Sequence, residues 1–149
     1  MNIVLHQPEI HYNTGSVGRT CVALGAKLWL VRPLGFRLDD KHLRRAGMDY
    51  WQHLDYEVMA DWAALCERLD GSRMWFFSKT AVRPYTEVRF EPDPILVFGS
   101  ESSGLPRSLL DARPERCLRI PIHPNARSLN LSVSVAVAAF ETQRQLQAG

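Results

Sequence analysis

Short apolar runs punctuate this chain, and between them lie stretches in which apolar residues return at helical spacing. Ile3-Val4-Leu5 reads as a buried strand halted by Pro8. A helix capped at Asn13 or Thr14 follows to about residue 24, where Gly25 ends it. Leu28-Trp29-Leu30-Val31 is the next strand, closed by Pro33. Asp39 and Asp40 then open a short helix with acidic residues at its positive end, and Lys41, Arg44 and Arg45 lie toward the other end before Gly47. Trp62, Leu65, Cys66 and Leu69 recur as one face of a helix ahead of Gly71, and Met74-Trp75-Phe76-Phe77 returns to strand. Two more strands, Ile95-Leu96-Val97-Phe98 and Cys117-Leu118-Arg119-Ile120, flank a short helix over residues 107–112; residues 83–94 are the least regular piece. Asn130 caps a last helix to about residue 147, apolar on nearly every side in its first half, so it must be covered twice over.

Strands alternating with helices predict an α/β fold, a mostly parallel sheet with helices on both faces, whose ligand lies at the carboxyl ends of the strands. The 149 residues suggest one domain spanning 1–149, with no repeat, low-complexity tract or linker. Eighteen basic residues against sixteen acidic leave a net charge of +2, too little for a nonspecific nucleic-acid coat. Any contact with a nucleic acid must come from local clusters or from a dimer. Cys21, Cys66 and Cys117 are odd in number and far apart, which argues against a disulfide framework or zinc site and for a reducing compartment. Each is expected to pack as a small apolar side chain. The five histidines are scattered and suggest no metal. The first residues lack a basic region and a long apolar core, and no apolar run nears the ~20 residues of a membrane span, so a cytoplasmic protein without a membrane partner is expected.

The chemistry concentrates in two Gly/Ser/Asn-rich segments, each following an apolar strand: Phe98-Gly99-Ser100-Glu101-Ser102-Ser103-Gly104-Leu105-Pro106 and Asn125-Ala126-Arg127-Ser128-Leu129-Asn130-Leu131-Ser132. Either alone could be a tight turn. Together they expose backbone N–H and C=O groups that a polar ligand would satisfy. Gly99 and Gly104 have phosphate-loop spacing, but Leu105-Pro106 replace the Lys and Ser/Thr that hold phosphate and magnesium. Gly15 and Gly18 do not form a dinucleotide fingerprint, and the serines at 100, 102 and 103 sit in no nucleophile elbow.

With Asn13-Thr14-Gly15-Ser16-Val17-Gly18-Arg19 near the start and Ile120-Pro121 ahead of Ala126 to Ser132, these segments resemble in order and spacing the three motifs of the SPOUT RNA methyltransferases. The likeness runs almost end to end. The shortness of the chain resembles the branch of tRNA (cytidine/uridine 2′-O) methyltransferases that act at the wobble position. The resemblance implies a C-terminal trefoil knot, a homodimer, the anticodon stem-loop of tRNA as substrate and S-adenosylmethionine as cofactor. It implies cofactor contacts from Phe77, Gly99, Ile120 and Ser128, with Glu101, Leu129 and Asn130 beside them.

On its own residues Arg19 is a solvated charge or an ion-pair partner. The resemblance instead matches it to an arginine that assists attack by the ribose 2′-hydroxyl. A guanidinium is a poor proton acceptor, so Arg19 is expected to position the ribose and stabilise the developing alkoxide, with base catalysis as the other possibility and with Asn13 and Ser128 orienting it. Lys41, Arg44 and Arg45 form the dense basic region, either a solvated helix face or a grip on the anticodon stem phosphates, with Tyr50 and Trp51 available to stack on a base. Two positions depart from the family: Gly18 stands where relatives often carry an apolar residue, and Phe140 where some carry tyrosine. Competing readings are the same reaction on ribosomal RNA or another tRNA site, and a noncatalytic RNA- or cofactor-binding protein of this fold.

Overall fold

Alternation within each strand sends one set of side chains to each face of a six-stranded sheet, in the order β3-β2-β1-β5-β4-β6 with every pairing parallel. The strands are β1 (Asn2–His6), β2 (Lys27–Val31), β3 (Tyr56–Met59), β4 (Met74–Phe77), β5 (Ile95–Phe98) and β6 (Cys117–Leu118). Ile3, Leu5, Leu28, Leu30, Trp75, Phe77, Leu96 and Phe98 build the core on one face; Val4, Trp29, Val31, Met74, Phe76, Ile95 and Val97 build it on the other. This computed structural model describes residues 1–39, 41 and 49–149.

Helices α1 (His11–Leu24) and α4 (Leu131–Ala148) cover the first face through Val17, Cys21, Leu131, Val135, Ala138 and Ala139. On the opposite face lie α2 (Trp62–Arg68), through Leu65, and α3 (Arg107–Ala112), through Leu109 and Leu110. Leu30 and Leu96 are fully buried, so truncating either to alanine should cost ~2–5 kcal/mol. The α/β architecture read from the sequence is therefore present, including its parallel sheet. Among the described residues no helix is long and apolar enough to cross a membrane.

Several boundaries fall elsewhere than expected. Helix α1 begins at His11, so Asn13 and Thr14 are buried inside it instead of capping it; the N-cap position is Ile10, whose side chain makes no capping bond. Strand β3 was not legible, because its four half-buried residues pair on one side only, at the sheet edge. The last strand stops at Leu118, two residues early, since Pro121 has no N–H to extend a ladder and Arg119 turns to bridge Pro84. Cys21 and Cys117 are buried as expected, but Cys66 is exposed on the outer side of α2. The last helix is capped by Asn130 as expected, yet it is not covered all round: Val133 is 46% and Phe140 52% exposed. The expected helix beginning at Asp39 and Asp40 falls largely outside the described residues, as do Arg44 and Arg45.

Candidate active site

The chain reverses its direction of travel across the sheet between β1 and β5, which lie side by side, and a parallel sheet opens a crevice at such a point beyond its carboxyl ends. A cleft of about 860 Å³ lies there, walled by the segments that leave β4, β5 and β6 and by the starts of α1 and α4. The rings of Phe77 and Phe98 stack 4.8 Å apart at 14°, ending β4 and β5 in an aromatic pair at its base.

The segment after β5 folds back on itself. The Gly104 N–H donates to the Ser100 carbonyl at 2.9 Å, Gly104 takes a left-handed φ of 66°, and buried Leu105 anchors the return. Gly99 sits against this return so closely that a Cβ would lie 2.1 Å from the Gly104 carbonyl carbon and 2.2 Å from the Leu105 nitrogen. Glycine is required here by the loop's own backbone, before any ligand is considered.

Asn13 is the node at which three segments meet. Its Nδ2 donates to Glu101 Oε1 at 3.3 Å, and its Oδ1 accepts from Asn130 Nδ2 at 3.0 Å. The Asn130 Oδ1 in turn caps α4, accepting from the Ser132 N–H at 2.9 Å and the Val133 N–H at 3.3 Å. Glu101 also accepts from the backbone N–H groups of Glu9 at 2.7 Å and Ile10 at 3.1 Å. It thus places a carboxylate at the N-terminus of α1 that the local sequence does not provide. The exchange is reciprocal, because Glu9 Oε1 accepts from both the N–H and the hydroxyl of Ser102. Those two bonds, the hydroxyl's first, hold the Glu9 carboxyl below its ordinary range. Glu101 is engaged three times with α1 and its lead-in, so its oxygens serve as a brace in this structure.

Phe77, Gly99, Glu101, Ile120, Ser128, Leu129, Asn130 and Asn13 all line the cleft. Arg19 does not. It lies six residues beyond Asn13 on the same helix, roughly 240° around its axis, and is exposed with its guanidinium 5.8 Å from the centroid of Tyr50. The Tyr50 hydroxyl donates to the Gly15 carbonyl, and burial raises the phenol against the opposing charge of Arg19. Gly18 explains this neighbourhood: a Cβ there would meet the Trp51 ring at 2.9 Å, so its absence lets residues 49–53 pack on α1 and present Tyr50 to Arg19. Lys41 is exposed and lines no part of the cleft.

Sequence reasoning missed Glu9 and its bond to Ser102, which joins residues 93 positions apart, and the wall formed by Lys79 and Thr80. The one available signal was position: Lys79 and Thr80 directly follow a strand that ends at the cleft.

The model of the SpoU rRNA methylase family matches residues 1–140. A tRNA (cytidine(34)-2′-O)-methyltransferase from Methylovorus glucosotrophus (strain SIP3-4) is 44% identical over 145 residues, spanning 97% of this chain and 94% of that one. A solved structure concerned with the 2-OH methylation of C/U34 on tRNA superposes with a TM-score of 0.92 at 46% identity, covering 99% of this chain and 97% of the other. The SpoU methyltransferase AviRb from Streptomyces viridochromogenes, in complex with AdoMet, shares the fold, with a TM-score of 0.86 at 20% identity over all of this chain and 58% of its own.

Proposed function

The chain belongs to the SpoU rRNA methylase family, and from that premise we infer that it is an S-adenosylmethionine-dependent methyltransferase acting on the ribose 2′-hydroxyl of nucleotide 34, cytidine or uridine, in tRNA. The observation that carries the choice of substrate is the near end-to-end similarity, counted on both chains, to a protein named for that reaction and to a structure concerned with it.

The cleft suits the cofactor by its chemistry. Phe77, Ile120 and Leu129 offer apolar surface for an adenine, and the glycine- and serine-rich backbone of residues 99–104 and 126–129 offers hydrogen-bonding groups for the base edge and ribose. When bound, the sulfonium supplies a methyl group already activated for displacement. The protein's task is then alignment of nucleophile and carbon, worth roughly 7 kcal/mol or more where it is good. In this reading Glu101 and Asn13 brace the loop on which the ligand lies, with Asn130 bonded to Asn13, and Ser128 and Asn130 line the cleft beside it. Arg19 holds the ribose or a neighbouring phosphate and stabilises charge developing on the attacking oxygen.

Arg19 stands outside the cleft of its own chain, and this supports a site shared between two copies. Val133, Val137 and Phe140 follow one another at i, i+4 and i+7 along one face of α4, partly or largely exposed. Tyr12 on α1 adds a side chain that is 65% exposed. A second copy of this chain would cover that stripe and bring its Arg19 to this cleft. The trefoil knot, a homodimer, the tRNA anticodon stem-loop as partner and a cytoplasmic location complete the proposal, with Lys41, Arg44 and Arg45 gripping stem phosphates.

Transfer of tritium from labelled S-adenosylmethionine tests it. Bulk tRNA lacking the modification should be labelled and ribosomal RNA should not; label in ribosomal RNA alone, or in neither, would replace this reading with one of its competitors.

A further inference from the structure

The loop after β4, residues 78–84, is hydrogen-bonded to the start of the segment after β6, residues 119–128, and both contribute residues to the cleft lining. The Ser78 N–H donates to the Leu118 carbonyl, the Arg119 N–H to the Arg83 carbonyl and the Tyr85 N–H to the Arg119 carbonyl, each at 2.9 Å. Across these two stretches the sequence places Lys79, Arg83, Arg119 and Arg127, together with His123, and no aspartate or glutamate. These four cations exceed the +2 of the whole chain, so the remainder of the protein is net negative. All four are exposed.

None of the four forms an ion pair among the described residues. Lys27, Arg68, Arg73, Arg107, Arg116 and Arg144, by contrast, each sit against a carboxylate. Arg83 reaches only the Glu87 carbonyl, at 3.4 Å. Cations left unpaired are those that can exchange their counterions for a polyanion. Lys79 and Arg127 line the cleft itself, whereas Arg83 and Arg119, joined by a backbone hydrogen bond, lie beyond its lining, so the four extend from the cleft outward. Between Lys79 and Arg83 stands Val82, 87% exposed, an apolar side chain with nothing on it.

We propose that this basic ridge is the track along which the backbone of single-stranded RNA enters the cleft. The inference rests on the function given above, whose reacting hydroxyl lies on a ribose flanked by two phosphates that must pass the cleft mouth. Lys79 and Arg127 take the phosphates next to the target nucleotide, Arg83 and Arg119 take those further out, and Val82 lies against a base or ribose. None of these four cations belongs to the basic run that the sequence places at Lys41, Arg44 and Arg45.

Arg83→Gln, Arg119→Gln and the double variant test it, because both side chains are exposed and outside the cleft lining. Binding of tRNA is followed by fluorescence anisotropy across a salt series, with S-adenosylmethionine affinity measured by calorimetry and KM for tRNA from methyl transfer. Each substitution should raise the tRNA Kd and KM roughly threefold to tenfold and flatten the slope of log Kd against log salt by roughly 0.7–0.9, with cofactor affinity unchanged. Wild-type protein that methylates tRNA, beside variants that bind it with unaltered affinity and slope, overturns the ridge alone. Reduced cofactor affinity in the variants overturns it too, by assigning the cations to the cofactor's carboxylate. Wild-type protein that neither binds nor methylates tRNA, or that binds poly-glutamate in its place, overturns the ridge together with the function it rests on.

Discussion

Replacing Gly99 by alanine separates a loop that needs glycine for itself from one that needs it for a ligand. The added methyl would lie 2.1 Å from the Gly104 carbonyl carbon, 2.2 Å from the Leu105 nitrogen and 2.5 Å from the Gly104 oxygen. Ordinary carbon contacts are about 3.5 Å, so the return strand of the loop must retreat by roughly 1 Å or more. Backbone atoms cannot swing aside as a side chain would. The retreat strains the 2.9 Å bond from the Gly104 N–H to the Ser100 carbonyl and carries Glu101 and Ser102 away from Glu9, Ile10 and Asn13. Overpacking costs ~1–3 kcal/mol and a lost hydrogen bond about 1. A total near 3 kcal/mol lowers the Tm of a chain this long by about 6–12 °C. Calorimetric melting without cofactor should show that drop, and titration should show S-adenosylmethionine affinity reduced about tenfold or more. Gly104→Ala is the control: its Cβ meets open space and carries only the penalty of a positive φ, ~1–2 kcal/mol. If ligand-free Gly99→Ala melts within 2 °C of wild type, a tolerance of roughly 0.5–1 kcal/mol by the same conversion, the steric reasoning is wrong.

Arg19→Ala should bind S-adenosylmethionine normally and lose most methyl transfer, and Arg19→Lys should recover little, because a point charge does not replace a planar fork; wild-type turnover by the alanine variant removes the catalytic role. Val137→Glu, in the half-exposed stripe between Val133 and Phe140, should give monomers or unfolded protein unable to methylate tRNA; a folded monomer with full activity, by sedimentation and methylation assay, removes the shared site. Arg68 and then Lys27 hydrogen-bond Glu57 and pull its carboxyl from 4.5 to about 2. A depressed carboxylate contributes its stability above the unfolded value and loses it as pH falls through the folded one. The stability gap between wild type and Glu57→Gln should therefore be full at neutral pH and close between pH 4.5 and about 2, and a gap constant across that window would contradict the assignment.

What could be read from the sequence follows how local each cause is. Ile3-Val4-Leu5 and Leu28 to Val31 were legible because parallel strands covered on both faces must be apolar at every position. The cap at Asn130 was legible because donor and acceptor lie two and three residues apart. The start of α1 was not, since Glu101, ninety-one positions from Ile10, supplies the carboxylate that meets its N-terminus. The two loops were found from glycine and serine content alone, but which residues face a ligand and which brace the loop depends on that same long-range closure. Arg19 shows the limit most plainly. Its motif was legible, whereas its position outside its own cleft and beside Tyr50 follows from helix rotation and from the missing Cβ of Gly18.

The central claim is methylation of one ribose. Unmodified tRNA incubated with this protein and S-adenosylmethionine, then cut with ribonuclease and sequenced by tandem mass spectrometry, locates the added group. The account predicts a single methyl on the 2′-oxygen of nucleotide 34, absent when Arg19 is alanine. A methyl on a base, on any other ribose, or on no fragment at all would contradict it.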